Sequence, residues 1–231
     1  IDPMHGTGFW GSLELIQSHI VVGTMTYARK VSGQQQNRIM ISQNVLNHRI
    51  DAPRARIRVD GDNTDWDDAT DALFVGSDSQ AQAAVRPAKD DDNLYFLVER
   101  LDADLSDGDT VELYLADSGS DTLDTNTLRL TVGPNGLQQT ARYSGGRWKD
   151  ETVPGAEGKA LLRGTVGGSS DQDEGYAVEV VIPRTAIQAN ASTLRCALTL
   201  YNQDKGTSRI EDGLDSVSLS QPTSWLKVRL G

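Results

Sequence analysis

Hydrophobic and polar residues alternate along most of this chain in short runs with a period of two. That period is typical of strands that bury one face, and Gly, Asp, Asn and Pro between the runs mark turns. The clearest runs are AAVRPA, NLYFLVERL, DTVELYLA, TLRLTVG, LQQTARYS, KALLRGTV, YAVEVVIP, LRCALTLYN, DSVSLS and WLKVRL. Short strands at this even spacing predict an all-β protein, folded as an antiparallel, jelly-roll-like β-sandwich.

The composition changes sharply near residue 50, which predicts a domain boundary. The histidines and methionines of the chain all precede that point: His5, His19, His48, Met4, Met25 and Met40. Pro53, in the sequence Asp51-Ala52-Pro53, interrupts regular secondary structure and so marks this boundary. We therefore expect an N-terminal β segment at 5–50 and a sandwich domain at 51–231. Residues 1–4, Ile-Asp-Pro-Met, are expected to be the remnant of a cleaved tag.

The N-terminal segment contains the runs SLELI, HIVVGTMTY and NRIMIS, which predict a few short strands. So few strands do not bury an independent core, and we expect them to pair with each other and to pack on neighbouring structure. The pattern GS…EL…HIVVGT resembles the last blade of a sialidase-like β-propeller. An N-terminal extension that adds strands to the sandwich is the alternative interpretation.

Charge and cysteine content narrow the range of partners. The formal net charge is −11. Nucleic acids need a basic binding face and anionic membranes repel an acidic protein, so neither partner is expected. Neutral sugars and cations are compatible with this charge.

Cys196 is the single cysteine, which excludes an internal disulfide and a cysteine-based zinc site. The apolar run at 19–25 is too short to span a bilayer, and no signal peptide is expected in this stretch, because it lacks a basic n-region.

An acidic stretch, RVDGDNTDWDD at 58–68, opens the predicted sandwich. Asp60-Gly61 is a turn dipeptide, and Asp65 is placed to cap the short turn that follows. Several carboxylates on a tight loop also suit calcium, with Asp60, Asp62 and Asp65 as the ligands, although the spacing does not fit an EF-hand. A solvated turn and a structural calcium site both remain open at this point.

An ordered set of motifs extends from this stretch to the end of the chain. VDGDNTDW is followed by VRPAKDDDNLYFLVERLDAD, by DGDTVELYLAD and by GYAVEVVIP. In that order they resemble the family 9 carbohydrate-binding modules and their DOMON-like relatives, from Arg58 to Leu230. The resemblance implies a β-sandwich, an oligo- or polysaccharide ligand and a structural calcium ion, with Trp66 as a core residue.

The resemblance also implies a ligand site. Family 9 modules hold a sugar between two tryptophans and bind its hydroxyls with charged and amide side chains. On the matching motifs, Glu112 and Arg129 take the charged positions, and Trp225 takes the tryptophan before the final strand. The first tryptophan of the family corresponds to Ser106, and Trp148 in SGGRWKD is the loop tryptophan that could replace it.

Strand parity supports this site independently of the resemblance. Val111, Leu113 and Leu115 share one face of their strand, which leaves Glu112 and Tyr114 on the other. By the same alternation, Leu128 and Leu130 point inward and send Arg129 outward. Cys196, Leu198 and Leu200 also point inward, which places Thr199 and Tyr201 outward. If these strands are neighbours, Glu112, Arg129, Thr199 and Tyr201 form one polar face, and we expect Trp225 at its rim. A surface Glu–Arg pair without function is the alternative.

These observations together predict a non-catalytic carbohydrate-binding module. We expect it to be the C-terminal appendage of a secreted or periplasmic polysaccharide-degrading enzyme, a glycoside hydrolase or lyase, with an upstream catalytic domain as its partner. A structural sandwich that packs on a propeller without ligand is the main alternative. Haem is not expected, because the sandwich contains neither His nor Met. Serine-based catalysis lacks a histidine base there, and a carboxylate pair for glycoside chemistry remains the enzymatic alternative.

Overall fold

The computed structural model describes the backbone of residues 8–9, 16–17, 20–21, 24–31, 35–42, 49–66, 72–76, 81–168, 173–187, 192–204, 210–213 and 217–231. Within these ranges the side chains are described from Ile50 onwards, except those of Phe74, Ile210 and Asp212. The tag remnant predicted at 1–4 and most of the strand predicted at 12–16 lie outside the described residues. None of the described residues forms a helix long and apolar enough to cross a membrane.

The described residues form an all-β protein, as the alternation predicts. Its strands before the sandwich are β1 Gly8–Phe9, β2 Ile16–Gln17, β3 Ile20–Val21, β4 Thr24–Val31 and β5 Gln35–Ser42. The next strands are β6 Arg49–Asp51, β7 Leu73–Gly76, β8 Gln82–Lys89, β9 Asn93–Leu101, β10 Thr110–Asp117, β11 Leu128–Gly133 and β12 Gly136–Ser144. The last are β13 Arg147–Asp150, β14 Glu157–Arg163, β15 Gly175–Pro183, β16 Thr193–Asn202, β17 Ile210–Gly213 and β18 Leu226–Arg229. Short 3-10 turns cover Asn63–Asp65, Arg184–Ile187 and Pro222–Ser224.

Two sheets make the sandwich. Sheet I has the order β13-β12-β11-β10-β16-β18-β6, and β17 also pairs with β16. Sheet II has the order β14-β15-β9-β8-β7. All pairs within the two sheets are antiparallel except β18 with β6, which is parallel. The predicted antiparallel sandwich is therefore confirmed, with one parallel strand added at the end of sheet I.

One apolar core lies between the inner faces of the sheets. Sheet I contributes Val111, Leu113, Leu128, Leu130 and Leu198, all fully buried in that core, so the strand parity read from the sequence is confirmed. Sheet II contributes the same alternation from β8, β9 and β15. Because successive residues of a strand point to opposite faces, every polar residue between these apolar positions must lie on an outer face.

The sandwich begins slightly before the predicted boundary. Arg49–Asp51 pairs with Lys227–Arg229, and the Ile50 side chain is 2 % exposed within the core. Upstream, β4 and β5 form an antiparallel hairpin to which β1 adds a third strand. The backbone of β5 approaches β7 at the edge of sheet II.

One predicted strand is wrong. The run DSVSLS at 215–220 was expected to be a strand, but its described part, from Val217 to Ser220, turns instead. The turn is closed by the Gln221 amide, which donates to the Ser218 carbonyl at 3.0 Å. Its apolar residues Val217 and Leu219 pack side by side on an aromatic cluster of sheet I, so the alternation here reflects a covering segment and not a pleated strand.

A strap formed by residues 52–66 covers the outer face of sheet II. Ile57 and Trp66 of the strap pack on Ala88, Tyr95 and Leu97 of that face. Trp66 is 9 % exposed, which confirms the prediction that it is a core residue. The strap is joined to β8 by two backbone hydrogen bonds that involve Lys89.

Glu179 of β15 is the polar anchor of the strap. Its carboxylate accepts the Trp66 indole N–H at 2.9 Å and the backbone amides of Asp60 and Gly61 at 3.0 and 2.8 Å. Burial raises the pKa of Glu179, and these hydrogen bonds oppose that shift. Gly61 has a φ of 90° and lies against the Ala160 carbonyl, so a side chain there would be both strained and crowded.

The acidic stretch forms a turn. The Asp60 carboxylate accepts the Asp62 amide, the Asp62 carboxylate accepts the Thr64 amide, and the Asp65 carboxylate accepts the Arg58 amide. Among the described residues, no group of three or more His, Cys, Asp or Glu side chains is arranged to hold a metal ion. The calcium site predicted at Asp60, Asp62 and Asp65 stays a prediction.

Trp66→Phe tests the anchor. Removing the indole N–H leaves a buried carboxylate short of a donor, which should lower the free energy of unfolding by about 1–3 kcal/mol. Urea denaturation measures this loss. The matched control is Trp148→Phe, because the indole N–H of Trp148 makes no hydrogen bond to any described residue. An equal loss in both variants would show that ring size, and not the Glu179 bond, is what matters.

Calcium binding is tested on protein first stripped with a chelator. A ligand that binds only the folded state raises its stability, so millimolar calcium should raise the melting temperature by several degrees, on the order of one to two kcal/mol for a domain of this size. Asp62→Asn and Asp65→Asn should reduce that rise if the acidic stretch holds the ion. The absence of any shift would leave the stretch as a turn alone.

The N-terminal β segment is expected to pack on the sandwich, because its strands are too few to bury a core. Limited proteolysis that removes the residues before Arg49 should therefore lower the melting temperature of the remaining sandwich. Calorimetry of the intact and trimmed proteins checks this. An unchanged melting temperature would contradict the expected packing.

Candidate functional site

Polar side chains cluster on the outer face of sheet I, where three of its central strands lie next to each other. In the register of these strands, Glu112 of β10 is opposite Thr131 of β11 on one side and Thr199 of β16 on the other. We call this cluster the Glu112 face, and it consists of Glu112, Tyr114, Arg129, Thr131, Thr199 and Tyr201. The predicted adjacency of these strands is therefore present, and it brings Glu112, Arg129 and Tyr201 together.

Glu112 is the centre of the cluster and is 8 % exposed. Its Oε2 accepts the hydroxyl of Tyr114 and, at 3.5 Å, the hydroxyl of Tyr201. Its Oε1 accepts the Thr131 hydroxyl at 3.4 Å and lies 3.5 Å from Nη1 of Arg129. A buried carboxylate with this many partners is held in one orientation, since each lost partner would leave charge unsatisfied.

Arg129 connects the carboxylate to an indole. Its guanidinium carbon lies 5.5 Å from the ring centroid of Trp148, in cation–π geometry. Its Nη2 donates to Oε1 of Gln139 at 3.5 Å, a long hydrogen bond. Arg129 is therefore surrounded by one carboxylate, one aromatic face and one amide.

Trp148 is brought to this face by a tight hairpin. β12 and β13 are joined by Gly145 and Gly146, with φ values of 63° and 80°, which are the left-handed values that a two-residue hairpin turn requires. The register pairs Trp148 with Tyr143 on the same outer face. The two rings meet edge to face at 5.4 Å, and Trp148 meets Tyr114 in the same way at 5.6 Å. The half-buried Trp148 is thus fixed from two sides.

Trp225 does not lie at the rim of the face, which corrects the prediction. It is 1 % exposed and packs edge to face on Tyr114 at 6.0 Å. Its indole N–H donates to the Ser218 carbonyl at 2.9 Å, and Val217 and Leu219 pack on the same aromatic cluster. The turn that replaces the predicted strand at 217–220 therefore covers Trp225, and no flat face is left for a ligand.

Ser106, where the family has its first tryptophan, belongs to a tight turn before β10. Its hydroxyl accepts the Gly108 amide at 3.1 Å, and its own amide donates to the Asp109 carboxylate. Asp109 is buried and also pairs with Arg100 at 3.1 Å. The hydrogen bonds of Ser106 therefore stabilise this turn. The aromatic ring beside Arg129 on the Glu112 face comes from Trp148 instead.

Some hydrogen-bonding capacity on the face is unused. Nε of Arg129 and the hydroxyl oxygen of Thr199 are buried and have no hydrogen-bond partner among the described residues. Burial and the neighbouring Glu112 raise the pKa of Tyr114, so its hydroxyl stays protonated as a donor. The face therefore combines a carboxylate, a cation, hydroxyls and an indole, which suits a neutral ligand rich in hydroxyl groups.

Sequence reasoning missed two residues of this site. Tyr114 was placed on the outward face by strand parity but not assigned to the site, although it contacts Glu112 and both tryptophans. Gln139 was not considered, because its position opposite Thr131 depends on an irregularity in the β11–β12 register between Thr131 and Val132. Alternation within one strand does not reveal such a shift, since a bulge belongs to a pair of strands.

Similar folds occur in solved structures. A carbohydrate-binding module of family 9 from Caldicellulosiruptor kristjanssonii, solved with cellotriose, matches with a TM-score of 0.59 and 17 % identity, over 78 % of this chain and 92 % of that chain. A structure from the same organism with glucose matches with a TM-score of 0.59 and 17 % identity, over 79 % and 95 % of the two chains. At this identity the likeness concerns the fold. No curated protein matches the chain.

The match to a protein family is broader than any single motif. Residues 62–227 match the family described as Carbohydrate family 9 binding domain-like. That range starts in the strap, includes the whole Glu112 face and ends in β18. The order of motifs, the two-sheet sandwich and this match agree, and the chain belongs to the carbohydrate family 9 binding domain-like family.

Proposed function

We propose that this chain is a non-catalytic carbohydrate-binding module whose ligand site is the Glu112 face together with Trp148. The observation that carries the proposal is the cluster itself: an oriented carboxylate, an arginine with an unpaired Nε and an indole on one sheet face of a family 9 member. The carboxylate and the arginine offset each other in charge, so the site favours a neutral ligand over an acidic one.

The ligand class is a neutral oligosaccharide. Hydroxyl groups both donate and accept, which matches a carboxylate acceptor beside guanidinium and hydroxyl donors. The C–H faces of a pyranose suit an aromatic ring such as that of Trp148. The solved relatives with cellotriose and with glucose support gluco-oligosaccharides as the first ligands to test.

The affinity is expected to be weak. One aromatic ring takes the place of the family's pair, and aromatic contacts contribute about 1 kcal/mol each. At tenfold per 1.4 kcal/mol, losing one of them should raise the Kd about fivefold relative to a site with two rings. Weak sites of this kind still serve a module that is tethered to an enzyme, because the linkage supplies a high effective concentration.

The wider context is part of the proposal. We place the module as the C-terminal appendage of a secreted or periplasmic polysaccharide-degrading enzyme, with the N-terminal β segment as the last blade of an upstream propeller. The resemblance of GS…EL…HIVVGT to such a blade and the antiparallel pairing of β4 with β5 support it. The residues encoded upstream of Met4 test it, because a catalytic propeller there should supply the missing blades.

A structural module without ligand is the second candidate. The burial of Trp225 favours it, because the one matching tryptophan of the family is covered. The two functions make opposite predictions in a binding experiment with the same protein, and a broad glycan panel separates them.

Arg129→Ala is the direct test of the site. Loss of a charged hydrogen-bonding partner should weaken binding of cellotriose by about tenfold or more, measured by calorimetry, and Trp148→Ala should weaken it to a similar degree. Trp225→Ala should instead lower stability by about 3–5 kcal/mol, since it empties a buried site.

The matched control is Arg147→Ala, which removes an exposed arginine from the same hairpin on the side away from Trp148. It should leave binding unchanged, and circular dichroism should show that all the variants fold. If the unaltered protein binds a glycan and Arg129→Ala binds it equally well, the site lies elsewhere. If it binds nothing in a broad panel, the structural module is the function.

A further inference from the structure

A groove of about 380 Å³ opens at the edge of sheet I, beside the Glu112 face. Polar groups from β12 and from the chain after β13 line it, above an apolar floor. Its principal residues are Leu137, Gln138, Gln139, Asp150, Thr152 and Val153. Val153 belongs to the core and Leu137 packs against it, whereas the polar residues of the groove take no part in the strap or in the Arg100 ion-pair cluster.

The strand pairing creates the groove. β13 pairs only with Ala141–Ser144 of β12, and no other described strand pairs with residues 136–140 on that side. The chain leaves sheet I after the Glu151 amide donates to the Thr140 carbonyl at 2.9 Å. A notch therefore remains between the first half of β12 and the segment that crosses to β14.

A β-bulge directs the glutamines into this notch. Leu137 is opposite Val132, whereas Gln139 is opposite Thr131, so Gln138 is the extra residue of β12. An extra residue of this kind re-aims the neighbouring side chains. Leu137 keeps its contact with the core, and both glutamines line the groove.

The groove is continuous with the Glu112 face. Gln139 lines the groove and accepts from Arg129 at 3.5 Å. Asp150 is opposite Ala141, which is itself opposite Arg129. A ligand bound at Arg129 thus has the groove on its β12 side, without any intervening strand.

We propose that this groove is an additional subsite that binds further sugar units of a neutral oligosaccharide. The proposal rests on the proposed function, because the first sugar unit is held at the Glu112 face. Side-chain amides and carboxylates offer donors and acceptors to hydroxyl groups, and the half-buried Leu137 and Ala156 offer apolar surface to the C–H faces of the rings. The module therefore distinguishes oligosaccharides by length.

The charges of the groove exclude acidic sugars. Its charged lining residues within the described chain are Asp150 and Glu151, and Glu151 is already paired with Arg142 at 2.8 Å. No lysine or arginine among the described residues lines it. A uronate carboxylate or a sulfate would meet like charge without a cation, which disfavours binding.

The experiment compares a length series of glucose, cellobiose, cellotriose and cellohexaose by calorimetry. With hydrogen bonds gained in the groove, affinity should rise by about tenfold from glucose to cellohexaose. The double variant Gln138→Ala and Asp150→Ala should flatten this rise and leave glucose binding unchanged. Lys149→Ala, an exposed residue next to Asp150 that does not line the groove, is the matched control and should keep the full rise.

Amide nuclear magnetic resonance gives a second readout that does not depend on affinity. The side-chain amide signals of Gln138 and Gln139 should shift when cellohexaose is added in excess, and Gln138 should not shift with glucose. An oligouronate of the same length should give no rise in affinity. Equal affinity along the cellodextrin series, or a full rise in the double variant, would overturn the additional subsite and leave the proposed function standing. Failure of every sugar to bind, glucose included, would overturn the proposed function and the subsite with it.

Discussion

Burial of charged side chains is the constraint on which the rest of this structure depends. Taking a carboxylate out of water is unfavourable unless cations or hydrogen-bond donors surround it. The sandwich meets that requirement at three centres: Glu99 with Arg86, Arg100 with Asp102 and Asp109, and Glu112 with Arg129. The Glu99 and Glu112 centres each join neighbouring strands of one sheet. Arg100 instead connects the two sheets, because it lies in sheet II and donates to the Tyr201 carbonyl of sheet I at 2.8 Å. This centre therefore helps to set how the apolar layers meet, whereas the apolar core supplies most of the stability.

The outer faces of the two sheets meet this constraint in different ways. On sheet II, the strap brings an indole and backbone amides to Glu179, and the carboxylate is satisfied by the chain itself. On sheet I, the Glu112 face retains an unpaired Arg129 Nε and an unpaired Thr199 hydroxyl among the described residues. Unmatched polar atoms in a buried cluster are unfavourable. The Glu112 carboxylate is held by side chains of neighbouring strands, whereas the Glu179 carboxylate is held by the strap.

Much of this arrangement could be predicted from the sequence, because it follows from rules that act within one strand. Alternation placed Val111, Leu113 and Leu115 inside and Glu112 outside, and the order of motifs indicated the sandwich. What failed depended on contacts between strands. Trp225 was expected at a rim, but the turn at 217–220 covers it, and an apolar alternation does not distinguish a covering turn from a strand. Arg49 and Ile50 were assigned to the preceding segment, since a parallel pairing with the last strand leaves no local pattern. Gln139 depends on a bulge that involves two strands.

The two tryptophans of sheet I show why the location of an aromatic ring matters more than its presence. Trp225 follows a 3-10 turn and donates its N–H to the chain that covers it, so its ring is part of the interior. Trp148 stands on a hairpin whose glycine turn fixes the register, and Arg129 rests on its ring. A ring on the hairpin also lies on the strand that stops short and leaves the groove beside β12. In the proposed site, moving the aromatic contact from the last strand to the hairpin would shift the ligand toward the edge of the sheet. At an edge a polymer can continue past the site, whereas a slot between two tryptophans encloses one sugar, so this geometry suits the extended chain of a polysaccharide.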